Sequence, residues 1–433
     1  MPKIICSLEE WDSILNFHRP NGSSKTWYLN ETKQLSIPHM WGKWNIFTED
    51  GDMFGQGHLR GAVTPSISNL IEYKTFDSII NEPHIYIISI WNPNFFELNR
   101  DIGFSCISSK YLKDIRDGIS KIVLYLPYEG YSGIENNYDF EIIEEWRLKE
   151  NLPVNSIYFL NGNLLSESIV KNRGFGYKAY GISQFETWNI YKSDEIIDFK
   201  PTTDKFLFLS YNRNPRVYRV YLLWHLYQNG LFDKGLISFY KLDDTKHYHG
   251  SNIDQNFLQY LRDNTPIKID DKYDLYYNLA CNISLDDYKE TFISIITESL
   301  TEENTLFFSE KIWKPIMIGH PFMLLGNPGS LKYLKELGYK TFDKWLNEDY
   351  DNEPNMIKRS QMIVEEMTKF KSKTISELMT IREEMKEVCL HNMTMYKKNF
   401  IKNFDEGSNS IVVENFLLEI WDEIKKNLVN RLI

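Results

Sequence analysis

The sequence predicts an α/β protein built as two Rossmann-like domains facing a cleft, with a helical tail at the C-terminal end. Three observations predict it. Short apolar runs alternate with helical segments of about ten residues, the mark of βαβ units and a mostly parallel sheet. That rhythm stops near Trp188 and restarts after Asp204, and the final stretch is helical and amphipathic.

Residues 1–80 are rich in Trp, His and Gly (Trp27, His39, Trp41, Trp44, His58) and show no regular period, so they are read as an irregular segment joined to the first domain. The first domain covers 81–190. Its strands are Ile85–Ile90, Ile122–Leu126, Ser156–Leu160 and Tyr177–Ile182, with helices at Tyr111–Ile119, from an N-cap at Asp139 to before Pro153, and at Leu164–Lys171 ending near Gly174. Mixed charge and Pro201 make 191–204 a linker. The second domain, 205–350, opens with strand Phe206–Ser210 and helix Val217–Gln228, closed by Gly230. Strands Gly235–Tyr240, Phe292–Thr297, Phe322–Leu325 and Lys340–Phe342 follow, with helices at Ile312–Ile318 and Leu331–Leu337, the latter capped by Ser330 and closed by Gly338. Pro321 and Pro328 act as stops. Residues 351–433 form the tail.

Composition narrows the function classes. The 433 residues carry 49 Lys and Arg against 60 Asp and Glu, a net charge of −11, so polyanions are not collected by bulk attraction. Cys6, Cys106, Cys281 and Cys389 are scattered without a CxxC pair, which argues against a disulfide framework and a structural zinc site. No run approaches the ~20 apolar residues of a membrane span, and Glu9, Glu10 and Asp12 follow the N-terminus where a signal peptide would be apolar. A cytoplasmic protein without a membrane span is expected. Gly-x-Gly-x-x-Gly, Walker, Gly-x-Ser-x-Gly and HExxH patterns are all missing. Asp-x-Asp occurs at Asp50–Asp52 and Asp349–Asp351, but 60 carboxylates produce such triplets by chance, and no metal ligand is assigned.

Ligands of open α/β sheets bind beyond the carboxyl ends of the strands, so the residues directly after strands matter most. Ser210 to Arg219 leaves a strand, opens a helix and holds Arg213, Arg216 and Arg219. A helix N-terminus with arginines suits phosphate. Glu298 follows the Phe292–Thr297 strand, where a carboxylate can accept from ribose or sugar hydroxyls. Beyond a loop, Ser309-Glu310-Lys311-Ile312-Trp313-Lys314-Pro315 opens the next helix. Proline is tolerated in a first turn, which sets the helix start near Lys311 and leaves Glu310 and Lys311 at its open end. Gly319 to Ser330 reads as a strand framed by turns.

The order strand, Glu-x-Ser, loop, Ser-Glu-Lys-x-Trp, helix, Gly, Pro, apolar strand, Leu-Gly resembles the donor-binding region of inverting α-1,3-fucosyltransferases and related GT-B-fold glycosyltransferases of bacteria, bacteriophages and large viruses. The resemblance covers roughly residues 205–345. It implies a nucleotide-diphosphate sugar as donor, bound without a metal or other cofactor. It implies that Glu298, Glu310 and Lys311 bind the donor and that Arg216, with Arg213 and Arg219 less closely matched, meets phosphate. The sequence departs from the family at Lys314-Pro315, where Arg-Asn is usual, and lacks the Glu-Ser-Pro signature of the fucosyltransferase base.

Inverting transfer needs a base for the acceptor proton. Glu129, after the Ile122–Leu126 strand and beside Gly130, is the candidate, with Glu186 and Asp50 as competitors. The expected activity is therefore inverting, metal-independent glycosyl transfer to a hydroxyl of a glycan, small molecule or modified DNA. Phage enzymes of this type glycosylate hydroxymethylated DNA bases; Lys369–Lys373 and Arg213–Arg219 are the local basic stretches that would serve such an acceptor. A nucleotide-sugar or glycan binding protein without turnover is the reading from another class.

Overall fold

The computed structural model describes residues 4–8, 36–39, 42–45, 71–75, 83–89, 109–129, 138–181, 196–201, 206–212, 215–242, 253–267, 283–301, 304–398 and 409–432. Two compact units emerge, Met1–Thr187 with Lys402–Ile433, and Trp188–Ile401. Each carries a parallel sheet with helices, the α/β class expected.

In the first unit, β1 (Ile4–Leu8) is followed by the antiparallel hairpin β2 (Ser36–His39) and β3 (Gly42–Asn45), then β4 (Ile71–Thr75) and β5 (His84–Ser89). After these come β6 (Ser120–Glu129), β7 (Ile157–Gly162) and β8 (Lys178–Gly181). The six-stranded order is β4-β1-β5-β6-β7-β8, so the N-terminal stretch that shows no sequence period contributes β1 inside the sheet and β4 at its edge. Helices Ser109–Arg116 and Tyr138–Lys149 lay Ile115, Phe140, Ile143 and Trp146 on Ile122, Leu124, Ile157 and Phe159. Full burial of each such side chain contributes about 1.5–3 kcal/mol. Asp139 is not the cap of its helix: the helix already includes Tyr138, and Asp139 lies in the first turn, where its charge faces the positive end of the dipole.

The chain's last helix, Asn409–Leu432, belongs to this first unit. Its Glu423 accepts from Tyr158 Oη at 2.5 Å, Lys178 Nζ at 2.6 Å and Lys121 Nζ at 3.3 Å. Those three residues are the first or second of β7, β8 and β6, so one carboxylate pins the helix along the amino-terminal edge of three strands.

The second unit contains β9 (Phe208–Asn212), β10 (Gly235–Phe239), β11 (Ile293–Thr297) and β12 (Phe322–Leu325), all parallel, in the order β10-β9-β11-β12. The chain steps from β9 outward to β10, then crosses back to β11 on the other side of β9. The strand order therefore reverses between β9 and β11, the place where open α/β sheets part their loops to form a crevice. The polar region after Lys241 contains helix Gln255–Asn264, started by Asp254, whose side chain accepts from Asn256 N. Helices Met356–Thr368 and Ile375–Tyr396 also belong to this unit. Ile197 and Phe199, read with the linker, are buried here, and Ile197 N donates to Ile318 O at 3.0 Å.

Three local expectations are corrected. Lys340–Phe342 is not a strand: Lys340 N donates to Asn392 Oδ1 at 2.8 Å and Phe342 N to Glu348 Oε1 at 2.9 Å. Its apolar pattern reports the burial of Phe342, while side chains replace the ladder. Ser330 is the first helical residue and not the cap; Gly329 precedes it at φ 79°, in the left-handed region that glycine tolerates. Helix Glu310–Ile318 starts early enough that Pro315 is its sixth residue, beyond the first turn, so the Lys311 carbonyl cannot receive the usual intrahelical bond.

Candidate functional site

Beneath the reversal point the two central strands are tied by buried polar side chains. Thr297 Oγ1 donates to Asn212 Oδ1 at 2.8 Å, Asn212 Nδ2 to Ser210 Oγ at 2.7 Å, and Ser210 Oγ to Ile295 O at 3.1 Å. This network fixes the carboxyl ends of β9 and β11 against each other.

Immediately above lies Glu298, fully buried. Its carboxylate accepts from Ser299 N and Ser309 N, each at 3.2 Å, and from the Ser309 hydroxyl. Burial pushes its pKa up, only partly offset by the charge of Lys311 and the Ser309 bonds. Glu298 thus faces inward, and its bonds secure the start of the next helix.

Ser309 is the N-cap of helix Glu310–Ile318; its Oγ accepts from Lys311 N at 3.2 Å. The helix ends at Gly319, φ 68°. Inside it Trp313 is fully buried against Phe308 and Tyr339, which holds the helix to the unit. Lys311 Nζ donates to Ser299 Oγ at 3.2 Å, Ser309 Oγ at 3.1 Å and Glu310 Oε1 at 3.0 Å. Burial would raise the Glu310 pKa, but the charges of Lys311 and Lys314 prevail and hold it at about 2.

From the β9 side, Arg216 sits at the N-cap position of helix Val217–Gln228 and donates through Nη1 to Ser299 O. Tyr218 donates its hydroxyl to the carbonyls of Glu298 and Ser299. Arg219 is buried below, with Nη2 to Thr297 O at 3.3 Å, and burial lowers its pKa. Arg216, Glu298, Glu310 and Lys311 are therefore gathered around Ser299 and Ser309, at the open ends of two helices. Arg213, Glu186 and Asp50 lie outside the described residues. Glu129 is the last residue of β6, in register with Gly162 and just past a bulge after Leu126; only its backbone is described.

Three further residues hold this cluster. Ser309 and Tyr218 stand inside the quoted stretches without having been assigned roles there. Arg359 has no local signal: from helix Met356–Thr368 it reaches Thr301 O at 2.6 Å, across 58 positions, and also donates to Glu353 O, pinning the chain just beyond Ser299. His320, in the third stretch, is internal. Its Nε2 lies 3.0 Å from Thr291 O, and its Nδ1 lies 3.0 Å from Ser294 Oγ and 2.9 Å from Pro321 O, so both ring nitrogens are held by internal partners. Burial keeps its pKa well below the usual value. Asp351 accepts from Leu331 N and Lys332 N at 2.9 and 3.0 Å, a helix-starting role. In the Lys369–Lys373 stretch, Phe370 is buried, Lys369 pairs with Glu366 at 2.5 Å and Lys371 donates to Asn229 O at 2.7 Å.

Among the described residues no three His, Cys, Asp or Glu side chains gather as a metal-binding group, and no helix is long and apolar enough to cross a membrane.

An α/β chain with two parallel sheets and a polar cluster at a strand-order reversal is the class of protein that these features define. No protein-family model and no curated protein matches the chain. Among solved structures, T4 phage BGT in complex with its UDP-glucose substrate is similar at 13% identity and TM-score 0.31, covering 84% of this chain and 94% of that one. A second structure of T4 phage β-glucosyltransferase, at 13% identity and TM-score 0.30, covers 82% of this chain and 88% of its own. The DNA-modifying enzyme β-glucosyltransferase, solved with and without uridine diphosphoglucose, is similar to the same extent, at 13% and 0.30 over 82% and 88%.

Proposed function

We propose that the chain is a glycosyltransferase whose second unit binds a nucleoside-diphosphate sugar, and that it moves the sugar to an acceptor hydroxyl with inversion and without a metal. The observation that carries this reading is the convergence of Lys311 and Arg216 on Ser299, between the N-termini of helices Val217–Gln228 and Glu310–Ile318 at the strand-order reversal. Two cations beside the positive ends of two helices suit a diphosphate.

In this reaction the acceptor oxygen attacks the anomeric carbon from the face opposite the phosphate. The carbon–oxygen bond to phosphate breaks, the acceptor proton goes to a base, and the nucleoside diphosphate leaves. Lys311 and Arg216 stabilise the charge that builds on the leaving diphosphate, an effect worth several kcal/mol when the groups are already oriented. Glu298 and Ser309 act as positioning residues: they fix the helix start from which Lys311 projects. The first unit would carry the acceptor, with Glu129 as the base.

Calorimetric titration with UDP-, GDP-, CMP- and dTDP-sugars, in EDTA and in magnesium, tests the donor site. UDP-glucose is the first donor to try. One nucleotide class should bind equally in both buffers, and Lys311→Ala should weaken it about 100-fold, the loss of a charge-assisted phosphate contact. Unchanged binding in Lys311→Ala overturns the reading. Glu129→Gln should retain donor binding and lose transfer to glycan, small-molecule and hydroxymethylated-DNA acceptors alike.

A further inference from the structure

We propose that Glu310 is an internal anion that competes with the donor's diphosphate for Lys311. The inference rests on the donor-site reading above and assigns Glu310 a role opposite to that of a ligand-binding carboxylate.

Among its contacts Lys311 donates to two neutral hydroxyls, of Ser299 and Ser309, and to one carboxylate, the Glu310 oxygen at 3.0 Å. Of these partners only Glu310 carries a charge. Glu310 is also the first residue of a nine-residue helix, where it meets the positive end of the dipole, and its side chain keeps only 15% of its exposure. Its carboxylate therefore draws on the two things a phosphate oxygen would use here, the lysine charge and the helix N-terminus. The low Glu310 pKa means that it remains an anion at any working pH.

A phosphate that takes Lys311 must exchange with this carboxylate or share the cation with it. A diphosphate is equipped for the exchange because it carries more charge and can span Lys311 and Arg216 together. A neutral nucleoside or sugar brings no charge to replace the one displaced. Re-pairing of Glu310 with Lys311 likewise assists departure of the nucleoside diphosphate once transfer is complete.

The test is titration of pyrophosphate, UDP and uridine into wild type and Glu310→Gln at one ionic strength. Glutamine keeps the length of the side chain and removes the charge. Pyrophosphate and UDP should both bind roughly threefold to tenfold more tightly to Glu310→Gln, the range of a partly screened ion pair. In a Lys311→Met background the same change should give a clearly smaller gain, because only the helix N-terminus is then contested, which provides a readout that does not depend on the single variant's stability. Weaker UDP binding with unchanged pyrophosphate binding would overturn the proposal, because Glu310 would then be contacting the nucleoside. Equal affinities in wild type and Glu310→Gln, or the same gain without Lys311, would overturn it too. Failure of wild type to bind either pyrophosphate or UDP would instead remove the donor-site reading itself, and this inference with it.

Discussion

Two carboxylates, one at the edge of each sheet, solve the problem of burial in different ways. Glu423 lies against the amino-terminal edge of the first sheet and meets Lys121, Lys178 and the Tyr158 hydroxyl directly. Burial alone would push its pKa up, yet the Lys178 and Tyr158 bonds and the lysine charges hold it below the usual value. Glu298 lies beyond the carboxyl edge of the second sheet and meets only backbone N–H groups and a serine hydroxyl, with Lys311 one hydroxyl further away. Burial dominates there, and the pKa rises. Direct pairing locks the three charges of the first cluster into the fold. Placing Ser309 between carboxylate and ammonium fixes the geometry of the second cluster, while Lys311 pairs directly with a different carboxylate, Glu310, at 3.0 Å.

This contrast can be broken experimentally. The largest stability effect is expected for Glu298→Ala, which strands Ser299 N, Ser309 N and the Ser309 hydroxyl without their acceptor. Thermal or denaturant unfolding should show a loss of about 3 kcal/mol, with Glu298→Gln losing much less. Equal losses would mean that the charge, not the acceptor geometry, holds the loop. Next in size is Glu423→Ala, which leaves buried Lys121 facing Lys178 without a carboxylate. A loss of about 2 kcal/mol is expected, below the range for a fully buried pair because Glu423 keeps 32% exposure.

The smallest effect is the most discriminating, since its sign differs between the two sites. The pKa of Glu423 is lowered from 4.5, so its stabilisation is present above 4.5 and is lost as pH falls through the folded-state value. The gap between wild type and Glu423→Gln should therefore shrink on acidification. The pKa of Glu298 is raised from 4.5, so the folded state binds the extra proton between 4.5 and its own value. Wild type should lose stability relative to Glu298→Gln as pH rises through that window. Matching slopes in urea titrations across pH would refute the distinction.

Much of the architecture is legible locally. The runs that become β5 to β12 show as apolar segments between turn residues, and Gly174 and Gly319 close helices as left-handed residues at φ 67° and 68°. β1 and β4 are not legible: each is only five residues long, they stand in a stretch without a regular period, and β4, at the sheet edge, alternates with Glu72 and Lys74 in place of a continuous apolar run. Lys340–Phe342 shows the converse failure: alternation reports burial, and burial can be had without a ladder.

For the site, the sequence by itself determined which residue types stand after β9 and β11 and at the open ends of the helices that follow, because caps, prolines and strand ends are set by interactions within a few residues. Only the tertiary structure decided their orientation and partners. Glu298 turns inward to Ser309, Arg216 reaches across 83 positions to Ser299, Arg359 across 58 to Thr301, and Glu423 across 302 to Lys121. These pairings depend on strand order and on which helix covers which edge. No local period encodes either one, since both follow from how the complete chain buries its apolar faces and then satisfies the polar groups left beside them.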